Sequence, residues 1–191
     1  MRTFIAIEVP CDFGDELAHL SRQLACTVPG RFMRRETYHL TLAFLGEIGE
    51  MESHLVIEAM DEVAEDGRPL GLAPTGLGTF GKPADCTVWV GISPAPELMG
   101  TAADLRRALT ERGIAFDTKP FRPHITLARR AKLPRGTLPA LDFPEAAQAQ
   151  HMTFYKSTLS AEGATYKPLY SVDLEQGSRK PLCNKEGGRM H

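Results

Sequence analysis

The sequence predicts a mixed α and β domain built from two related β/α units whose polar strand faces meet at a groove. Three observations carry this. The order strand–helix–strand occurs twice along the chain. A strand core, His39-Leu40-Thr41-Leu42-Ala43, recurs 85 residues later as His124-Ile125-Thr126-Leu127-Ala128. Neither copy runs directly into a Gly-x-Gly-x-x-Gly or Gly-Lys-Ser/Thr loop, which argues against a dinucleotide-binding or P-loop fold. A length of 191 residues suits one compact domain, or two small lobes sharing a core.

The elements follow from local pattern. Residues 3–9 alternate and are rich in β-formers, so they read as a strand ended by Pro10. Phe13, Leu17, Leu20 and Leu24 then recur at helical spacing, giving a helix over residues 12–26 that Pro29-Gly30 stops. A basic segment, Arg31 to Arg35, leads to a strand over 39–45 closed by Gly46. Residues 51–65 form a helix with Leu55, Ala59, Met60 and Val63 on one face and Gly67 as its stop. The Gly/Pro-rich stretch to Pro83 holds one strand, around 70–75. A strand over 87–92 precedes a second amphipathic helix with Leu98, Ala102, Leu105 and Leu109 on its apolar face, capped by Gly113. The second motif strand spans 124–128. Residues 131–147 are loop-like, and two strands, 152–159 and 166–174, close the domain around a turn at Glu162-Gly163. The polar, breaker-rich residues 175–191 read as a flexible tail.

Composition excludes several classes. Hydrophobic residues are 42% and charged residues 24%, which fits a globular chain and not a disordered one. A net charge of −2 is unlike that of a protein that coats nucleic acid. No apolar run reaches the length of a membrane span, and residues 1–10 lack the pattern of a signal peptide. Four scattered cysteines, with no Cys-x-x-Cys, read as reduced thiols. A cytoplasmic monomer without membrane contact is expected.

The repeated motif carries the chemistry. Side chains alternate along a strand, so His39 and Thr41 share one face, and Leu40 and Leu42 the other. The same holds for His124 and Thr126 against Ile125 and Leu127. The aliphatic faces suit packing on helices. The His and Thr need a polar or wet face, because an unpaired buried imidazole or hydroxyl is costly. Chance alone gives two such matches on the order of once in ten thousand chains of this composition. The bland alternative is a duplicated edge strand whose His and Thr bond only to each other.

Two imidazoles and two hydroxyls facing one groove suit phosphoryl transfer without a metal. One imidazole can take a proton from the attacking oxygen while the other gives a proton to the leaving oxygen. The hydroxyls can donate to phosphate oxygens as charge builds there. Basic residues gather nearby: Lys119, Arg122, Arg129, Arg130, Lys132 and Arg135 occur over 119–135 with no acid among them. Arg31, Arg34 and Arg35 precede the first motif, either as substrate contacts or as a solvated edge strand.

The sequence resembles the 2H phosphoesterase superfamily, named for two H-x-[ST]-x motifs, and within it the RNA 2′,3′-cyclic phosphodiesterases, also called 2′-5′ RNA ligases. The resemblance rests on Phe4-Ile5-Ala6-Ile7, on Tyr38 through Gly46 and on Arg122 through Arg129. It also rests on Tyr155-Lys156-Ser157-Thr158-Leu159 and Gly163-Ala164-Thr165-Tyr166, so it runs to about residue 174. It implies a single bilobal α+β domain over 1–174, with antiparallel sheets lining a V-shaped central cleft. It implies hydrolysis of a terminal 2′,3′-cyclic phosphate on RNA, or on a related nucleotide, to a 2′-phosphomonoester. His39 would then be the proton donor and His124 the proton acceptor. Thr41 and Thr126 would hold phosphate oxygens, with Arg129 as an extra anion contact. In the ligation direction the histidine roles exchange. No metal and no cofactor are expected.

Other residues draw plainer readings. His19 and His54 face solvent on helices, and His151 and His191 lie outside the motif. Phe4, Tyr38, Phe44, Phe121, Tyr155 and Tyr166 are stacking candidates, with Phe121 foremost and core packing the more common role for each. Trp89 reads as core. Competing functions are the same chemistry on a small cyclic nucleotide or ADP-ribose cyclic phosphate, a non-catalytic nucleotide-binding module, and a metallohydrolase using His39 and His124. The last needs a third ligand, and Glu36, Glu47 and Asp117 are not on the histidine faces.

Overall fold

The computed structural model describes residues 1–134, 137–160 and 163–174. In chain order the elements are β1 (Arg2–Glu8), α1 (Cys11–Ala25), β2 (Arg31–Phe32), a 3-10 turn (Arg35–Thr37), β3 (His39–Glu47), α2 (Glu50–Glu65) and β4 (Leu70–Leu72). There follow β5 (Pro74–Lys82), β6 (Asp85–Ile92), α3 (Pro96–Glu111), β7 (His124–Ala131), β8 (Ala147–Ala149), β9 (His151–Ser160) and β10 (Gly163–Asp173). Residues 175–191, where the sequence predicts a tail, lie outside the described residues, as do Arg135 and Glu162.

The strands make two four-stranded sheets, in the orders β10-β9-β1-β3 and β2-β7-β6-β5, and a small β4-β8 ribbon. Every pairing is antiparallel. The duplication is visible in the wiring. A helix joins the neighbouring strands β1 and β3 in the first sheet, and another joins β6 and β7 in the second. The mixed α+β architecture with antiparallel sheets is therefore the one the sequence predicts.

The apolar faces of the two repeats meet one continuous core. Leu40, Leu42, Ile125 and Leu127 are fully buried, as are Leu17, Leu24, Leu98, Leu105 and Leu109 on the helices. Burying each such side chain contributes roughly 1.5–3 kcal/mol. In α2 the buried face is Val56, Ala59, Met60 and Ala64, with Leu55 and Val63 only partly covered, so the helix is turned slightly from the expected stripe.

The second half also stabilises the exposed edge of the first sheet. As an edge strand, β3 leaves carbonyls without ladder partners. Arg106 of α3 donates to the Leu42 carbonyl at 3.3 Å, and the Asp117 amide donates to the Phe44 carbonyl at 2.9 Å. The same guanidinium lies over the rings of Phe116 and Phe121, each 5.7 Å away. Phe121 is thus a packing partner of Arg106 and the core, the more common of the two roles weighed for it.

Two strands escape the sequence pattern. β5 runs through Pro74, Gly76, Gly78 and Gly81, residues that weaken any strand signal. Gly78 pairs with Trp89, whose ring lies directly across it, and a Cβ there would sit 2.1 Å from the ring. Gly78→Ala must therefore push the indole aside. We expect a destabilisation of about 1–3 kcal/mol, the usual range for overpacking. A lowered thermal midpoint with altered Trp fluorescence would show it; an unchanged melt would contradict this packing. β8 is short and lies at the end of the segment that reads as loop. In addition, β3 does not stop at Gly46. It passes through that residue, at φ +71, with a register shift opposite Thr3 and Phe4.

Candidate active site

Each motif histidine is the first residue of its strand, and this placement determines its ring chemistry. His39 Nδ1 donates to the Thr37 carbonyl at 2.7 Å, and His124 Nδ1 donates to the Arg122 carbonyl at 2.6 Å. A carbonyl can only accept, so Nδ1 keeps its proton in both charge states. Nε2 is then the nitrogen that gains and loses a proton. The two halves reproduce this arrangement independently, with the acceptor two residues upstream in both. Thr37 is itself held by its 3-10 turn, its hydroxyl donating to the Arg34 carbonyl at 2.6 Å.

The burial alternation is as expected: His39, Thr41, His124 and Thr126 are half-buried, while Leu40, Leu42, Ile125 and Leu127 are sealed in the core. The two sheets meet where β3 lies against β7. A cavity of about 560 Å³ opens there, a volume typical of ligand sites. His39, Thr41 and Arg129 line it. His124 and Thr126 do not line it; they lie on the adjoining part of β7, beside Trp89 and Phe80.

Aromatic rings hold both imidazoles. The Phe4 ring centre is 4.7 Å from that of His39, Tyr166 stands edge-on at 5.1 Å, and Tyr155 lies 6.5 Å away. His124 has Phe80 edge-on at 5.1 Å and Trp89 at 5.7 Å. Trp89 is therefore a half-buried neighbour of His124, not the core residue its strand suggested. Opposite His39 in the ladder stands Glu8, which accepts hydrogen bonds from the Thr153 hydroxyl and, at 3.4 Å, from the Tyr155 phenol. Burial and the Glu8 charge push the Tyr155 phenol pKa up, so it stays a donor.

Electrostatics separate His39 from an ordinary histidine. Burial foremost, opposed by the hydrogen bond to the Thr37 carbonyl and helped by the charges of Arg129 and His124, lowers its pKa to about 4. The free protein thus holds His39 neutral at pH 7. The strands that carry the two histidines, β3 and β7, lie against each other.

The basic segment divides into separate roles. Arg129 lines the cavity, Arg130 pairs with Asp85 at 3.3 Å, and Lys119 pairs with Asp117 at 3.0 Å. Arg31 and Arg34 also line the cavity, whereas Arg35 turns away to bond Asp15 and the Cys11 carbonyl.

The model of the 2′-5′ RNA ligase superfamily matches residues 9–158, which include both motif strands. The chain belongs to the 2′-5′ RNA ligase superfamily. Relatives within the 2′-5′ RNA ligase superfamily include the RNA 2′,3′-cyclic phosphodiesterase of Thermotoga maritima, 31% identical over 93% of this chain and 97% of that protein. Another, from Geobacillus stearothermophilus, is 35% identical over 66% of this chain but only 41% of its own length. The crystal structure of Escherichia coli LigT in apo form superposes with a TM-score of 0.76, at 27% identity over 92% of this chain and 98% of that one. LigT has also been solved complexed with phosphate and with 3′-AMP.

Sequence reasoning missed Glu8, Phe80 and Arg2 near the site. Only the pairing of β1 with β3 and of β5 with β6 brings them to these faces, and no local pattern reports such pairings.

Proposed function

We propose that the protein hydrolyses the 2′,3′-cyclic phosphate at an RNA end to a 2′-phosphomonoester, using its two histidines and no metal. The observation that carries this is the matched pair of imidazoles. Each has Nδ1 tied to a carbonyl and Nε2 left to exchange a proton, on strands that touch. The names of the relatives support the substrate.

In the forward reaction, water attacks phosphorus while His124 Nε2 takes its proton. The P–O3′ bond breaks, and His39 Nε2 gives its proton to the departing 3′-oxygen. The products are a 2′-phosphate and a free 3′-hydroxyl. Thr41, Thr126 and Arg129 donate to the non-bridging oxygens, where charge accumulates. An RNA 5′-hydroxyl attacking in place of water gives a 2′-5′ phosphodiester by the same proton transfers, and re-closure of that diester to the cyclic phosphate runs them in reverse, with the histidine roles exchanged.

The shape of the cavity supports His39 as the donor. Attacking and leaving oxygens lie roughly in line on opposite sides of phosphorus. The 3′-oxygen belongs to the ribose, so the nucleoside must lie on the donor's side. The cavity is lined by His39 and not by His124. A bound phosphate anion beside His39 raises its depressed pKa and gives it the proton it must deliver.

Product analysis on an oligonucleotide ending in 2′,3′-cyclic phosphate tests this. The expected product is a 2′-phosphate alone, formed in the presence of a chelator. A 3′-phosphate product, or activity that requires a divalent ion, would contradict the proposal.

A further inference from the structure

The cavity is larger than one phosphate needs, and its far end has a charge that the reaction does not use. Besides Arg129, it is lined by Arg2, Arg31 and Arg34, and no acidic side chain is among its described lining residues. In a chain of net charge −2, that is a local concentration of cations facing one space.

The strand register gives the spacing. Thr41 pairs with Ala6 on β1, and Arg2 lies four residues further along the same strand and on the same face. At about 3.3 Å per residue this is roughly 13 Å, beyond the reach of a single phosphate held at Thr41. The Arg2 guanidinium is set over the Phe44 ring, 5.1 Å from its centre, which holds it at the cavity wall. Across the cavity, Arg31 reaches from the second sheet to the β9–β10 end of the first. A Cβ on Gly163 would come within 3.0 Å of its guanidinium. Among the described residues, Arg34 has one ion pair, an exposed contact with Glu36 at 3.5 Å, of a kind that contributes little. Ser157 and Ser160 add hydroxyls to the same end.

We propose that this end of the cavity is a second anion subsite, in which Arg2 and Arg34, beside Arg31, bind the phosphodiester on the 5′ side of the terminal nucleotide. This rests on the proposed function and sharpens it: the substrate is the end of a polynucleotide chain, and a free cyclic mononucleotide is a poor one.

The test compares kcat/KM for a dinucleotide ending in 2′,3′-cyclic phosphate with that for the 2′,3′-cyclic mononucleotide. A preference of at least about tenfold for the dinucleotide is expected, the value of one charge-assisted contact. Replacing the internucleotide phosphodiester by an uncharged methylphosphonate should remove most of that preference with the wild-type protein. The double variant Arg2→Gln/Arg34→Gln should bring the ratio toward one, as should raised salt. Equal kcat/KM for both substrates, or full preference retained by the methylphosphonate, would overturn the second subsite while leaving the proposed function intact. Turnover of neither substrate would overturn the proposed function and the subsite together.

Discussion

Replacing either His39 or His124 by alanine lowers kcat by roughly two to four orders of magnitude, the scale of a lost general acid or base. The cause is specific. Both rings have Nδ1 committed to a backbone carbonyl, so each has one reactive nitrogen and no neighbour able to substitute for it. Because the two rings serve one displacement, the double variant should lose much less than the product of the single losses. His39 sits among Phe4, Tyr155 and Tyr166, so His39→Gln, which fills the space, is the control for packing. A substrate with sulfur in place of the 3′-oxygen separates the two roles. A thiol ionises near pH 8.5, so a sulfur leaving group departs without a proton. It should largely restore His39→Ala and leave His124→Ala impaired. The opposite pattern would exchange the roles, and mild losses in both variants would remove the acid–base account.

The pH dependence should carry the imprint of a buried imidazole. In the free protein His39 titrates at about 4, well under its ordinary value near 6.5. The acid limb of kcat/KM should therefore break near pH 4, and this break should vanish in His39→Gln. In kcat, which reports the bound state, the His39 ionisation should move upward because the phosphate anion favours the imidazolium. Stability follows the same linkage. The unfolded chain binds this proton more tightly than the folded one, so stability is greatest above about pH 6.5 and falls as pH drops toward 4. Thermal midpoints taken across that window should decline less steeply for His39→Gln. A flat wild-type profile over the window would contradict the burial that lowers the pKa.

Much of this architecture was legible because it is written in local periodicity. The period-2 alternation of His39-Leu40-Thr41-Leu42 and His124-Ile125-Thr126-Leu127 gave both the strands and their polar faces. The Phe13–Leu24 and Leu98–Leu109 stripes did the same for two helices. What was not legible depends on which strands become neighbours. β5 is hidden by its glycines, of which Gly78 makes room for the Trp89 ring, and Trp89 stands at the side of His124. Phe121 looked like a base-stacking residue because it lies in a basic loop, yet Arg106 lies over its ring. Arg2 attracts no notice in the sequence, and reaches the cavity only because β1 is the inner strand next to β3.

Titration of both imidazoles by NMR while a 2′-phosphorylated nucleotide is added tests the shared site most directly. Both ring signals should shift together and saturate at one ligand concentration, with the His39 pKa climbing from about 4. Movement of one ring alone, or two different saturation points, would mean that the histidines do not act on one phosphoryl group.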